Sequence, residues 1–220
     1  MDNRAKSDIL AALDAELILD LTKKLVAIPT VNPPGQEAAC ARFIHDTLTA
    51  WGIEVDLVPE PEPERPQVVA WVRGAGDGPV FILNAHMDTV PPGDEARWTK
   101  PPFEGSQEGD LLYGLGTCDM KGSLASIMAM LKALHDSDAG LPGTLMAHFP
   151  MGEETDEPGT KTLLAKGYTG DMAITMEPTD SQIGPGTRGA CWYRVEVEGP
   201  SAHCGLSAAD APDVMASIDS

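Results

Sequence analysis

The sequence predicts an α/β protein built on a mixed, mostly parallel sheet flanked by helices. Three observations point there. Segments with helical periodicity alternate along the chain with short apolar runs bounded by Gly, Pro and Asp. Two of those runs, Val80 to Leu83 and Thr144 to Met151, are apolar without clean alternation, the pattern of strands buried on both faces. Chemistry-bearing polar residues follow the apolar runs directly, and open α/β sheets gather their ligands at the carboxyl ends of strands.

The elements follow in order. Leu10, Leu13, Leu17, Leu21 and Leu25 recur at helical spacing and predict one helix over 8–27, capped by Ser7 or Asp8. "PTVNPPG" ends it, because proline supplies no backbone donor. A second helix sets Cys40, Phe43, Ile44, Leu48 and Trp51 on one face and stops at Gly52. "IEVDLV" alternates as a strand, and "PEPEPERP" is a polar, proline-rich connection. "VVAWV" and "VFILNAH" are strands separated by the turn "RGAGDG". A long loop, "PPGDEARWTKPPFEGSQEGD", leads to a short strand in "LLYGLG". "KGSLASIMAMLKALHD" is a helix, "TLMAHFPM" a strand, "TKTLLAKG" a short helix and "MAITM" a strand. From about Arg188 the character changes: "ACWYRVEVEG" alternates like a half-exposed strand, and "PSAHCG" and a helix start in "APDVMASIDS" follow. The expected organisation is one domain over 1–187 and the beginning of a smaller α+β domain over 188–220.

Composition narrows the function classes. Fifteen basic against 34 acidic residues give a net charge of −19, which repels phosphate backbones and argues against nucleic acid. No apolar run approaches the roughly 20 residues of a membrane span, and the N-terminus lacks the basic head and apolar core of a secretion signal. Cys40, Cys118, Cys191 and Cys204 form no CxxC pair, which argues against a thiolate zinc site and fits a reducing cytoplasm.

Four segments carry polar residues that are costly to bury unless paired or bound to metal: His86 and Asp88 in "HMD", Asp119 in "TCDMKG", Glu153 and Glu154 in "MGEET", and Glu177 in "MEPTD". Converging on one crevice, they make a nitrogen and oxygen donor set suited to zinc, cobalt or manganese. The His-x-Asp spacing lets a carboxylate take the second ring N–H of a ligating histidine. Adjacent glutamates project in different directions from an extended backbone, so one can hold metal while the other serves as a base. Each piece alone has a plainer reading: a surface loop for His-x-Asp, a helix cap for Asp119, a solvated pair for Glu153 and Glu154, a turn for Glu177-Pro178. HExxH, GxxxxGK[ST] and GxSxG are absent, and "YGLGTC" lacks nucleotide-loop spacing.

Taken together, "PTVNPPG", "RPQVVAWV", "LNAHMDTVPPG", "PPFEG", "GDLLYGLGTCDMKGSLA", "GEET", "MEPT", "GTRG" and "GPSAHCG" resemble the co-catalytic zinc amidohydrolases and metallopeptidases. That family includes acetylornithine deacetylase, succinyl-diaminopimelate desuccinylase, aminoacylase and carboxypeptidase G, and the likeness covers about residues 20 to 210 in the family's order. The resemblance implies a zinc-peptidase-like catalytic domain followed by a lid and dimerisation domain. It implies that His86, Asp119 and Glu177 ligate one metal, and that Asp119 bridges to a second, also held by Glu154. Asp88 would be the partner of His86, Glu153 the general base, and His203, acting in a neighbouring subunit, the oxyanion-stabilising histidine. A non-proline cis bond is implied at Asp119-Met120. Two Zn2+ ions are implied per complete site, with Co2+ or Mn2+ as substitutes. The implied reaction is hydrolysis of an amide in a small carboxylated substrate, an N-acyl amino acid or a dipeptide, by a cytoplasmic homodimer. A peptidase of the same family, or a catalytically silent metal-binding or dimerisation module, is the alternative.

Two departures from the family pattern stand out. Leu115 occupies a position that is usually Arg, which implies a local packing change. Family members are also nearly twice as long and supply a last histidine to the second metal from beyond the lid, so the chain is expected to be the N-terminal portion of such an enzyme and hydrolytically weak by itself.

Overall fold

The computed structural model describes residues 3–137 and 140–186, together with Gly189, Cys191 and Glu196. The chain divides into two compact units, Met1–Ser181 and Gln182–Ser220. The first contains every element described below. Apart from Cys191 and Glu196, the expected strand at 190–199 lies outside the described residues, as do the "SAHCG" segment with His203 and the following helix.

Helices α1 (Asn3–Ala12) and α2 (Ala15–Val26) replace the single helix expected over 8–27. The break falls at Asp14, whose backbone is extended and whose carboxylate accepts the amides of Glu16 and Leu17. That cap satisfies donors that a new helix would otherwise leave open, so the leucine stripe is divided between two helices, and Ser7 lies inside α1 rather than at its start. Helix α3 (Ala38–Ala50) ends as expected before Gly52, in left-handed conformation at φ 77°.

Strands β1 (Glu54–Val58), β2 (Gln67–Arg73), β3 (Val80–Asn84), β6 (Thr144–Phe149) and β7 (Met172–Thr175) form one sheet in the order β1-β2-β6-β3-β7. β2 is antiparallel to both its neighbours, while β6, β3 and β7 run parallel, so four of the five strands point one way. The strands expected to be central, β3 and β6, are adjacent and interior. β5 (Leu111–Tyr113), the short strand expected in "LLYGLG", pairs in a separate hairpin with β4 (Ser106–Glu108), which lies in the stretch expected to be loop.

Both faces of the central strands are covered, which is why they read as continuous apolar runs, while edge strand β7 is exposed along its length. On one face Val68, Ala70, Val72, Leu83, Leu145 and Ala147 pack against Leu21 and Leu25 of α2, Ile44 and Leu48 of α3, and Leu124, Ile127, Met128 and Leu131 of α4 (Gly122–Asp136). On the other, Val69, Trp71, Ile82 and Met146 meet Val58 and Leu163, the latter from α5 (Pro158–Ala165). His148 is buried in β6, where burial pushes its ring down to about 4. The carboxyl ends of β3, β6 and β7 lie side by side, and each is followed by one of the polar segments singled out above. No helix among the described residues is long and apolar enough to cross a membrane.

Candidate metal centre

Beyond Asn84 the β3 backbone stays extended, with every second amide bonded. Ala85 donates to the carbonyl of His148 (3.1 Å) and Met87 to that of Pro150 (3.0 Å). Two residues further Thr89 donates to Thr30 (3.0 Å), and Asn32 donates to Thr89 (2.8 Å). Residues two apart on extended backbone project to the same side, so His86 and Asp88 enter the interior together, 1% and 0% exposed. Pro91 and Pro92 then lack the donors that would continue the ladder. The strand therefore ends by delivering an imidazole and a carboxylate to a fixed place.

The ring is oriented by its own loop. His86 Nδ1 lies 3.0 Å from the backbone carbonyl of Asp88. A carbonyl only accepts, so Nδ1 donates, and when the ring is neutral its lone pair lies on Nε2. Around Nε2 stand Asp119 Oδ1 at 3.2 Å, Glu153 Oε2 at 3.8 Å and Glu177 Oε2 at 3.9 Å. Two sets of donor atoms each fall within 4.8 Å of one another: His86 with Asp119 and Glu177, and His86 with Glu153 and Glu154.

Each carboxylate is positioned by its element. Asp119 sits in the turn Thr117–Lys121 ahead of α4, and its peptide bond to Met120 is cis, as the resemblance implied. The buried Met120 accepts the His86 amide on its sulfur at 3.2 Å. Lys121, fully buried, donates to the carbonyls of Leu25 (3.0 Å) and Ile28 (2.6 Å), tying the turn to the end of α2. Lys121 is itself the residue before α4, with no side-chain cap, so Asp119 is not a helix cap. Glu177 follows β7, where the Met176 amide donates to Asn84 (3.0 Å) and its carbonyl accepts from Ser123 Oγ (2.7 Å).

Glu153 and Glu154 follow β6. Their amides donate to Asp88 Oδ1 and Oδ2, both at 3.0 Å, and Asn32 Nδ2 donates to Oδ2 at 2.8 Å. This refines the role expected for Asp88. Its carbonyl, not its carboxylate, is the nearer partner of the His86 ring; the carboxylate stands 3.4 Å from Nδ1 and accepts from Asn32 and the glutamate loop at shorter distances. Asn32, Met120 and Lys121 were not anticipated as supports. The signal for Asn32 was in the sequence, a polar residue wedged between Val31 and two prolines, but its partner lies 56 residues away.

Charge is crowded here. Burial raises the Glu177 carboxyl to about 7, and Glu153, Asp119 and Glu154 push it the same way against His86. Burial likewise raises Glu153 and Glu154, with neighbouring carboxylates adding to it. Burial alone would lower His86, but Asp88, Glu177 and Glu153 outweigh it and hold the ring at about 9. Burial would raise Asp88, yet hydrogen bonds from His86 and Asn32 hold it at about 2. One imidazole beneath four converging carboxylates is a hard nitrogen and oxygen donor set with excess negative charge, and it fits a divalent cation of the zinc, cobalt or manganese class. Neither set includes a thiol among the described residues; Cys118 is exposed. Leu115, half-buried, donates its amide to Pro102 at 2.7 Å.

Residues 82–217 match the model of Peptidase family M20/M25/M40. The chain is 35% identical over 181 residues to an N-formyl-4-amino-5-aminomethyl-2-methylpyrimidine deformylase of Halalkalibacterium halodurans, an alignment covering 80% of this chain and 42% of that protein. It is 32% identical over 187 residues to a probable succinyl-diaminopimelate desuccinylase of Staphylococcus aureus, covering 84% and 45%. The fold is similar to an M20 family metallo-carboxypeptidase from Sulfolobus solfataricus, with a TM-score of 0.65 at 20% identity over 72% of this chain and 37% of that one. The chain thus spans less than half the length of these relatives.

Proposed function

The chain belongs to peptidase family M20/M25/M40, and from that premise we propose that it carries the metal centre and general base of a hydrolase that removes an acyl group from the nitrogen of a small carboxylated substrate. One observation carries the reading: both donor sets contain His86, and Glu153, a member of the second, keeps a side chain that is 36% exposed and 3.8 Å from His86 Nε2. The likeness to two sequence relatives, a deformylase and a probable desuccinylase, favours N-deacylation over peptide cleavage.

In this reading His86, Asp119 and Glu177 hold one cation, and Asp119 and Glu154 contribute to a second; the proposed physiological metal is Zn2+, with Co2+ or Mn2+ as substitutes. Bound there, the cations would polarise the amide carbonyl and acidify water. Glu153 accepts the proton of the attacking water and returns it to the departing amine, a task suited to a carboxyl whose proton affinity is raised by burial. Asp88 fixes the backbone from which Glu153 and Glu154 project, and the Asp88 carbonyl keeps the His86 proton on Nδ1. His203 is proposed as the oxyanion partner, contributed across a homodimer by the domain that begins near residue 188. A cytoplasmic setting is supported by the free thiols Cys40, Cys118 and Cys191.

The test is hydrolysis of N-succinyl, N-formyl and N-acetyl amino acids by an enzyme carrying this chain, loaded with Zn2+ or Co2+, beside its Glu153→Gln variant. The reading requires unchanged metal content and lost turnover in the variant. Full turnover without Glu153, or turnover indifferent to chelation, would contradict it.

A further inference from the structure

Of the segment "VNPPGQE" only Asn32 meets the residues described above, yet the segment ends in a carboxylate that is completely buried, Glu37. A buried carboxylate needs partners, and Glu37 has three donors. Arg65 grips it through both nitrogens of its fork, Nε to Oε2 at 2.9 Å and Nη2 to Oε1 at 2.7 Å. The third is the backbone amide of Gly152, donating to Oε1 at 3.2 Å. Gly152 directly precedes Glu153, so three successive amides of the glutamate loop are held by two buried carboxylates: Gly152 by Glu37, and Glu153 and Glu154 by Asp88.

The sequence makes room for this arrangement. Gly35, at φ +92°, lies against the Arg65 guanidinium so closely that a β-carbon there would stand 2.2 Å from Nε. The same short segment supplies Asn32, which donates to Asp88. Both carboxylates beneath the loop are thus braced from one stretch of chain, and the guanidinium comes from the proline-rich connection at Arg65.

We propose that Glu37, locked by Arg65, is a positioning residue for Glu153 and Glu154: through the Gly152 amide it sets the direction in which the two glutamates leave β6. It touches no reacting atom, and its role rests on the reading of Glu153 as base and Glu154 as ligand. A bidentate, buried pair is a suitable anchor because the planar fork fixes the carboxylate plane and hence the lone pair offered to Gly152.

The test uses the 220-residue chain with two readouts, amide hydrogen exchange at Gly152 in the metal-free protein and titration with Co2+. The variants are Glu37→Leu combined with Arg65→Met, which leaves no orphaned charge, and Glu37→Gln, which keeps an oxygen for Gly152. In the double variant, exchange at Gly152 is expected to quicken and Co2+ affinity to weaken, each about tenfold or more, without a matching change in exchange at Ala147 in β6. Glu37→Gln is expected to retain both. Unchanged exchange at Gly152 would overturn the brace itself. Faster exchange with unaltered Co2+ affinity would overturn its positioning role. A wild-type chain that takes up no Co2+ would overturn the metal-centre reading and the role with it, while the exchange data would still report whether the brace exists. If the double variant does not fold, Arg65→Lys, which keeps the charge but loses the fork, is read by the same two measurements with the same expected directions.

Discussion

The Asp88 carboxylate accepts the amide of Glu153 at 3.0 Å, so the residue two after the candidate histidine ligand also holds the candidate base. One buried side chain thereby couples the loop after β3 to the loop after β6. Replacing Asp88 by Asn sets an NH2 against an amide donor at one of its oxygens. Affinity for Zn2+ or Co2+ is expected to fall about 10- to 100-fold, the usual cost of losing such a support. Competition against a chromophoric chelator measures it, and unaltered affinity would show that the loop holds itself.

His86→Ala removes the residue common to both donor sets. Binding of the cation that His86 holds with Asp119 and Glu177 is expected to be abolished, Glu177→Gln is expected to impair that same site, and Glu154→Gln the second. Co2+ absorption spectra of the three variants distinguish a shared ligand from two independent sites.

His148 gives a pH prediction separate from the metal centre. Its folded value is lowered to about 4 by burial, against 6.5 for an ordinary ring, so the native state binds fewer protons than the unfolded one between those values. Stability from this group is full above pH 6.5 and is lost as pH falls through 4, an effect of order 3 kcal/mol. Urea unfolding of metal-free wild type and His148→Leu from pH 7 to 4 checks it. The variant is expected to show the shallower decline.

Lys121→Met leaves the carbonyls of Leu25 and Ile28 without their buried donor. The expected loss is about 2–4 kcal/mol of stability, one unsatisfied group costing about 1–3 kcal/mol. Denaturant midpoints measure it, and a loss below about 0.5 kcal/mol would mean that water replaces the ammonium.

Much of the fold was legible because apolar periodicity is a local property. The stretches around β3, β6 and α4 announce themselves within a few residues. The break at Asp14 was not, since a leucine stripe continues across it and a polar residue on the exposed face looks harmless until its carboxylate is seen capping α2. In the site, His86, Asp88, Asp119, Glu153, Glu154 and Glu177 were legible as costly polar residues after apolar strands. Their supports were not. Asn32 and Glu37 act across 56 and 115 residues on Asp88 and Gly152, and nothing in their own neighbourhood reveals those partners. The carbonyl that fixes the His86 tautomer belongs to the backbone, which residue identity does not disclose.

The most direct measurement is the cation content of the purified chain after exposure to Zn2+ or Co2+ and removal of excess, beside His86→Ala and Asp119→Ala. The predicted result is at least one ion per wild-type chain and a loss of that ion in both variants. A wild-type chain that retains none, or variants that retain as much as wild type, would contradict the assignment of this cluster as a metal centre.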